Sequence, residues 1–303
     1  MSRHEVTFVP NLFAGDGRVA RLDGADPSAI ARTVAEPAAS ALILGDTASV
    51  LAAMPAGVFQ SCVTSPPYWS LRDYKIPGQI GGEGSVYAYI DHLARVFGEV
   101  RRVLKDDGTL WVNIGDSYTS GGRTWRAGDK KNPVRAMSVR PPTPEGLKPK
   151  DLIGVPWLLA FALQKEGWYL RADIIWNKPN CQPESVKDRP TRCHEYVFLF
   201  SKSERYRYDG RAVRGPNGRN LRTVWDIPTK PYPEAHFATF PPALIDPCIQ
   251  LGSRRGDLVL DPFIGSGTTG VVALRLGRRF VGIELNPDYL RIASGRLNGD
   301  LIR

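Results

Sequence analysis

Val58-Phe59-Gln60-Ser61-Cys62-Val63-Thr64-Ser65-Pro66-Pro67-Tyr68-Trp69 is the stretch that decides the fold. Its first seven residues read as a buried strand, short, partly apolar and β-branched near the close. Two prolines then stop any ladder or helix, because proline lacks an N–H and has a fixed φ. Ser65, Tyr68 and Trp69 therefore lie on a stiff loop at a strand's carboxyl end. In an open α/β sheet that is where ligands bind. The loop offers carbonyls, a hydroxyl and two aromatic faces, which suits a planar base carrying an amino group. The competing reading is a proline-capped strand end with its aromatics in the core.

Around this stretch the chain alternates strands and helices. Ala41 to Leu44 reads as a strand ending at Gly45-Asp46, and Thr47 to Met54 as a helix. Tyr89, Leu93, Val96, Phe97, Val100 and Leu104 fall at helical spacing. Asp107-Gly108 turns into a strand from Thr109 to Ile114. Pro156 to Lys165 reads as a helix, Arg171 to Asn177 and His194 to Ser201 as strands, and Phe240 to Leu251 as helix again. The end is a βαβ unit: strand 258–260, a turn from Asp261 to Gly267, a helix to Leu276 and strand 280–283. Residues 1–40 are weakly periodic and read as an N-terminal arm or short helix outside the core. Residues 41–303 form the main domain.

Two segments break the pattern. Residues 119–150 hold eight Lys or Arg against two acids and show no apolar period. A loop of that length inside a domain is functional or disordered. Residues 202–235 are Arg-rich and interleaved with aromatics. Net charge is +9, which favours a polyanionic partner such as nucleic acid. Apolar residues make up 42% and charged residues 23%, ordinary for a globular protein. No run approaches ~18 apolar residues, so neither a membrane span nor a membrane partner is expected, and the start carries no signal core. The four cysteines are scattered, without Cys-x-x-Cys, and read as reduced thiols of a cytoplasmic protein with no metal site.

The turn Asp261-Pro262-Phe263-Ile264-Gly265-Ser266-Gly267-Thr268-Thr269-Gly270 is a second constellation. Its glycines permit positive φ and close ligand approach. The helix from Thr268 offers free N–H groups. Glu284 ends the next strand, 19 residues after Gly265, where an acid can accept both hydroxyls of a ribose. Taken literally this matches the dinucleotide fingerprint, so an NAD-dependent oxidoreductase is a rival. Against it, Asp261 would repel a pyrophosphate but attract an ammonium. Also, only 19 residues follow Glu284, too few for a second nucleotide-binding half. An adenosine carrying an amino acid fits better.

With both motifs in place, the chain resembles the S-adenosylmethionine-dependent DNA amino-methyltransferases of the β class. In that family a Ser/Asp-Pro-Pro-Tyr motif precedes a Phe-x-Gly-x-Gly motif, as Ser65-Pro66-Pro67-Tyr68 precedes Phe263-Ile264-Gly265-Ser266-Gly267 here. The resemblance spans about residues 41–290. It includes Leu44-Gly45-Asp46, Trp111 to Asp116, Ile174 to Pro179, Arg192-Cys193-His194-Glu195 and His236 to Pro241. It implies a circularly permuted, Rossmann-like methyltransferase fold: α/β, with a seven-stranded, mostly parallel sheet and the two basic loops as insertions.

The resemblance also implies roles. Ser65 and Pro66, with Pro67 stiffening the loop, take the hydrogens of the target amine. Tyr68 stacks on the base, and Asn113 and Asp116 reach the pocket. Some relatives carry an acid near Asn113, so the proton acceptor is left unassigned. The cofactor set is Asp46, Thr64, Phe240, Asp261, Pro262, Phe263, Gly265, Ser266, Gly267, Thr268 and Glu284. For DNA it is Trp69, Arg123, Lys130, Lys131, Arg135, Arg205, Arg207, Arg219 and Arg222. The implied substrate is cytosine N4 in double-stranded DNA, flipped from the helix, because Ser at position 65 is the pattern usual for cytosine-N4 enzymes. Adenine N6 is the alternative, and RNA or free-nucleoside methylation and a non-catalytic DNA-binding relative also stay open. A homodimer is compatible with this reading. Pro247-Cys248 is similar to the nucleophilic pair of cytosine carbon-5 enzymes but falls in a predicted helix and is read as a decoy.

Overall fold

The structure, a computed structural model, describes residues 7–10, 18–24, 26–36, 39–71, 76–119, 125, 141–230 and 240–297. The chain runs through β1 (Thr7–Pro10), β2 (Arg18–Asp23), α1 (Pro27–Ala35), β3 (Ser40–Leu44), α2 (Thr47–Ala52), β4 (Phe59–Thr64), α3 (Val86–Val103) and β5 (Leu104–Ile114). It continues through α4 (Val155–Lys165), β6 (Tyr169–Asn177), β7 (His194–Ser201), β8 (Val224–Asp226) and α5 (Pro242–Gly252). The last elements are β9 (Leu258–Asp261), α6 (Thr268–Arg275), β10 (Arg279–Glu284) and α7 (Pro287–Leu297).

Among the described residues the strands form one mixed sheet in the order β1-β2-β3-β10-β9-β4-β5-β7-β6-β8. Six neighbouring pairs are parallel. β7 runs against both its neighbours, and β1 runs against β2. β4, near the middle, is buried along its whole length, as a strand with both faces covered must be. Neighbouring side chains serve opposite faces, following the strand's period of two. Cys62, Leu110 and Leu260 pack under α1 to α4 with Ile30, Leu51, Phe97 and Leu159. Val63, Trp111 and Val259 pack under α5, α6 and α7 with Leu244, Val272 and Leu290.

Seven strands are expected, and the described residues form ten. Within residues 1–40, the described β2 and α1 are part of the core rather than an arm outside it. β2 pairs in parallel with β3 along its length, and α1 buries Ile30 and Val34. The physical reason is that β3 would otherwise be a sheet edge, and β2 takes up its open backbone groups. At the other edge three residues of the Arg-rich segment form β8 beside β6. The expected turn at Asp107-Gly108 lies inside β5: Phe59 pairs with Leu104 and Ser61 with Thr109, so residues 105–108 loop out.

Candidate active site

The carboxyl ends of β3, β10, β9, β4 and β5 lie side by side, and hydrogen bonds lace their loops together. Gly45 N donates to the Glu284 carbonyl at 2.9 Å, and Thr47 Oγ1 to the Pro262 carbonyl at 2.8 Å. Thr64 Oγ1, ending β4, donates to Asp261 Oδ1 at 2.6 Å. Thr269 Oγ1 donates to Asp261 Oδ2 at 2.6 Å and Phe263 N to Oδ1 at 3.1 Å. Positions some 200 residues apart in sequence thereby form one frame.

This frame divides the expected cofactor residues in two. Asp46, Phe263, Gly265, Phe240 and Glu284 keep exposed surface. Thr64, Asp261, Pro262, Ser266, Gly267 and Thr268 are buried. Asp261 is 1% exposed, so it does not present a carboxylate to an ammonium here. Burial pushes it up to about 6, against the pull of the Thr269, Thr64 and Phe263 donors. Ser266 and Thr268 accept from Arg296 Nη1, each at 2.9 Å, which ties α7 to the turn. Gly265 and Gly267 have φ of 51° and 85°, conformations that a side chain disfavours. A Cβ on Gly267 would also lie 3.0 Å from that of Ala293.

Glu284 accepts Gly265 N at 2.9 Å and Asn286 N at 2.8 Å, one on each oxygen. Burial raises its carboxyl to about 7. A carboxylate has about four acceptor sites, so lone pairs remain for ligand hydroxyls. Asp46 caps α2 through Ser49 N at 2.9 Å. A partly exposed acid, a glycine turn with positive φ and the Phe263 ring fit a nucleoside with a ribose and a flat base.

The catalytic loop is held from outside. Tyr89 of α3 donates to the Pro67 carbonyl at 2.9 Å. Pro66 is buried, and among the described residues no hydrogen-bond donor to its carbonyl is seen. Ser65 Oγ donates to Tyr68 Oη at 3.5 Å, and Tyr68 Oη donates to Glu195 Oε2 at 2.7 Å. Asn113 Nδ2 donates to Glu195 Oε2 at 3.2 Å and to the Tyr196 carbonyl at 3.1 Å. Lys178 Nζ bonds Glu195 Oε1 and lies 4.2 Å above the Trp176 ring. Burial, then Glu195, pushes the Tyr68 phenol well above its ordinary value, so it stays protonated.

Glu195 and Lys178 carry no assigned role in the sequence reading. Arg192-Cys193-His194-Glu195 was legible as a match, but its purpose needs the antiparallel register of β7 on β5, which pairs Ile114 with Tyr196.

Two expected residues act elsewhere. Asp116 Oδ1 accepts Ser117 N, Gly154 N and Val155 N within 2.9 Å, so it caps α4. Trp69 is 3% exposed and donates Nε1 to the Glu83 carbonyl at 3.0 Å. It anchors the loop and cannot enter a DNA helix.

The basic segments also divide. Arg123, Lys130, Lys131 and Arg135 lie outside the described residues. Arg205 and Arg207 follow β7, whose last residue pairs with Thr109 at the sheet's far edge. Arg207 N donates to the Asp107 carbonyl there at 2.8 Å, so this pair is remote from the loop. The cause is the reversed direction of β7. Arg219 and Arg222 are exposed just before β8. Nearer the loop stand Arg189, 3.7 Å above the Tyr118 ring, and Arg192, which lines a cavity of about 360 Å³ with Asp116, Tyr118 and Glu184. Cys248 is fully buried in α5, its thiol pushed up by burial, unlike an attacking nucleophile.

Known proteins are similar to this chain in sequence and in fold. The DNA methylase family of the N6/N4 type matches residues 59–295. The chain belongs to that family. It is 62% identical over 263 residues to the Type II methyltransferase M.Cfr9I of Citrobacter freundii, covering 86% of this chain and 88% of that one. A Thermus thermophilus protein solved with S-adenosyl-L-methionine matches with a TM-score of 0.63 and 29% identity, over 86% of this chain and 93% of that one. The PvuII DNA methyltransferase, titled cytosine-N4-specific, shares the fold with a TM-score of 0.65 at 23% identity, over 84% and 85% of the two chains. The chain is thus an α/β methyltransferase with a mostly parallel mixed sheet. Among the described residues no helix is long and apolar enough to cross a membrane.

Proposed function

We propose that this protein transfers a methyl group from S-adenosylmethionine to the exocyclic N4 of cytosine in duplex DNA, as the modification enzyme of a restriction-modification system acting in the cytoplasm. The observation that carries the proposal is the loop after β4. It holds the Ser65 hydroxyl and the Pro66 carbonyl next to the glycine turn after β9 and to Glu284.

S-adenosylmethionine, when bound, supplies an electrophilic methyl group on a sulfonium. Glu284 would hold its ribose, and Phe263, Phe240 and the turn at Gly265 its adenosine. An exocyclic amine is a weak nucleophile because its lone pair is delocalised into the ring. Ser65 Oγ and the Pro66 carbonyl accept its two hydrogens and draw nitrogen toward tetrahedral geometry. Ser65 spends its own hydrogen on Tyr68 and so keeps its lone pairs for the amine. The Tyr68 ring lies against the base. The chain's main contribution is alignment of reactants, and no covalent enzyme intermediate is needed.

Within this reading the chain is circularly permuted. β9 and β10 are the first and second strands of the common order, β3 and β4 the third and fourth, and the cut falls between β10 and β3. Ser65 favours cytosine because the resembling adenine-N6 enzymes usually carry Asp or Asn there. The other partner surface in this reading is the exposed Arg219 and Arg222 with the basic segment 119–150. Purified protein with tritiated cofactor tests the proposal: label should enter duplex DNA and not RNA or free cytidine. No label in any of the three would overturn it.

A further inference from the structure

We infer that Glu195 is the terminal acceptor of the proton that the target amine sheds, reached through Ser65 and Tyr68. This rests on the methyltransferase reading and adds to it the acceptor that Asn113 cannot be. An amide on β5 stands where an acid would be useful, and the neighbouring strand β7 supplies that acid to the same spot.

The hydrogen bonds already run in one direction. Ser65 Oγ donates to Tyr68 Oη at 3.5 Å, and Tyr68 Oη donates to Glu195 Oε2 at 2.7 Å. Asn113 Nδ2, at 3.2 Å, fixes Oε2 in place. Each link points its hydrogen toward the carboxylate; the Tyr68–Glu195 link is already at transfer distance, and the long Ser65–Tyr68 contact must shorten when the target amine binds, after which one concerted shift moves a proton along the row. As the nitrogen lone pair forms the new N–C bond, the S–C bond breaks and its pair returns to sulfur. The N–H pair stays on nitrogen while that proton passes to Ser65 Oγ. The Ser65 hydrogen passes to Tyr68 Oη and the Tyr68 hydrogen to Glu195 Oε2. One proton leaves the amine, one arrives on Glu195, and both hydroxyls end neutral.

The charged and titratable neighbours suit this use. Lys178, just past β6, pairs with Oε1, which leaves Oε2 for Tyr68. The β4 loop brings Tyr68 itself, and Tyr89 of α3 lies behind it. His194 sits beside Glu195 in β7, with Arg192 and Asp116 around it. Burial and the Arg192 charge hold His194 below its ordinary value, so it adds little positive charge at neutral pH. A Cβ on Gly115 would lie 2.9 Å from the Tyr68 ring and 3.2 Å from the Glu195 carboxyl carbon. Only glycine leaves room for the pair to meet there.

Single-turnover methylation of duplex DNA at saturating cofactor tests the relay. Glu195→Gln should slow the step by at least ~10², the usual reach of positioned acid–base groups, with DNA and cofactor affinities unchanged. Tyr68→Phe keeps the ring and the Glu195–Lys178 pair, so it should fold even if the Gln variant does not. It should slow the step by a similar factor, and the double variant should be no slower than either. Full rate in Glu195→Gln, or in Tyr68→Phe, would overturn the relay while leaving methyl transfer itself standing. A wild-type protein that labels no DNA would sink the underlying function instead.

Discussion

At Glu284 two backbone N–H groups hold the carboxylate while burial keeps its proton on up to about 7. A ribose that donates hydroxyls to this group favours the ionised form. Cofactor binding near neutral pH should therefore release a proton, and affinity should weaken as pH falls below about 7. Calorimetry in buffers of different ionisation enthalpy reads both effects, and Glu284→Gln should abolish the proton release and weaken binding by ~1–3 kcal/mol. Ser65 makes a separate prediction. Ser65→Ala should cut the methyl-transfer rate by about 10²–10³, the cost of one hydrogen bond that tightens in the transition state. Cofactor affinity and melting temperature should not change. At this scale the motif residues were legible because proline and glycine announce a special backbone. Glu195 was not, since its partner Tyr68 lies 127 positions away and only strand register joins them. Trp69 misled for a related reason: a tryptophan after a catalytic motif reads as a contact, while its Nε1 bond to Glu83 is visible only in three dimensions.

Among the elements, α1 and β2 separate an appended arm from an integral part of the fold. Ile30 is fully buried under the sheet. Ile30→Ala should lower unfolding stability by ~2–5 kcal/mol in urea titration, whereas an arm outside the core would show almost no change. β4, β7 and β10 could be read in sequence because apolar, β-branched runs bounded by breakers mark buried strands. β1 and β8 could not, being four and three residues long. They are edge strands, stabilised by the ladder they join more than by their own composition. β8 also sets the posture of the exposed Arg219 and Arg222. Replacing both with Gln should weaken duplex binding and flatten its dependence on log salt by about one unit per lost phosphate contact. Arg205→Gln with Arg207→Gln should leave that slope unchanged, since that pair lies at the far edge of the sheet.

For the whole molecule, the sheet brings two motifs 200 residues apart onto the carboxyl end of its parallel strands, and the chain carries a net charge of +9. That both motifs sit at strand carboxyl ends was legible, and β4 and β9, which carry them, do pair in parallel. The outer strands and the antiparallel β7 needed the folded chain, because no local pattern states which strand a segment will join. Every part of the proposed chemistry converges on one product: a methyl group on the amine held between Ser65 Oγ and the Pro66 carbonyl. Digestion of enzyme-treated duplex DNA to nucleosides, followed by mass spectrometry, reads that product directly. The account predicts N4-methylcytosine as the methylated base. N6-methyladenine in its place, 5-methylcytosine, or no methylated base at all would contradict it.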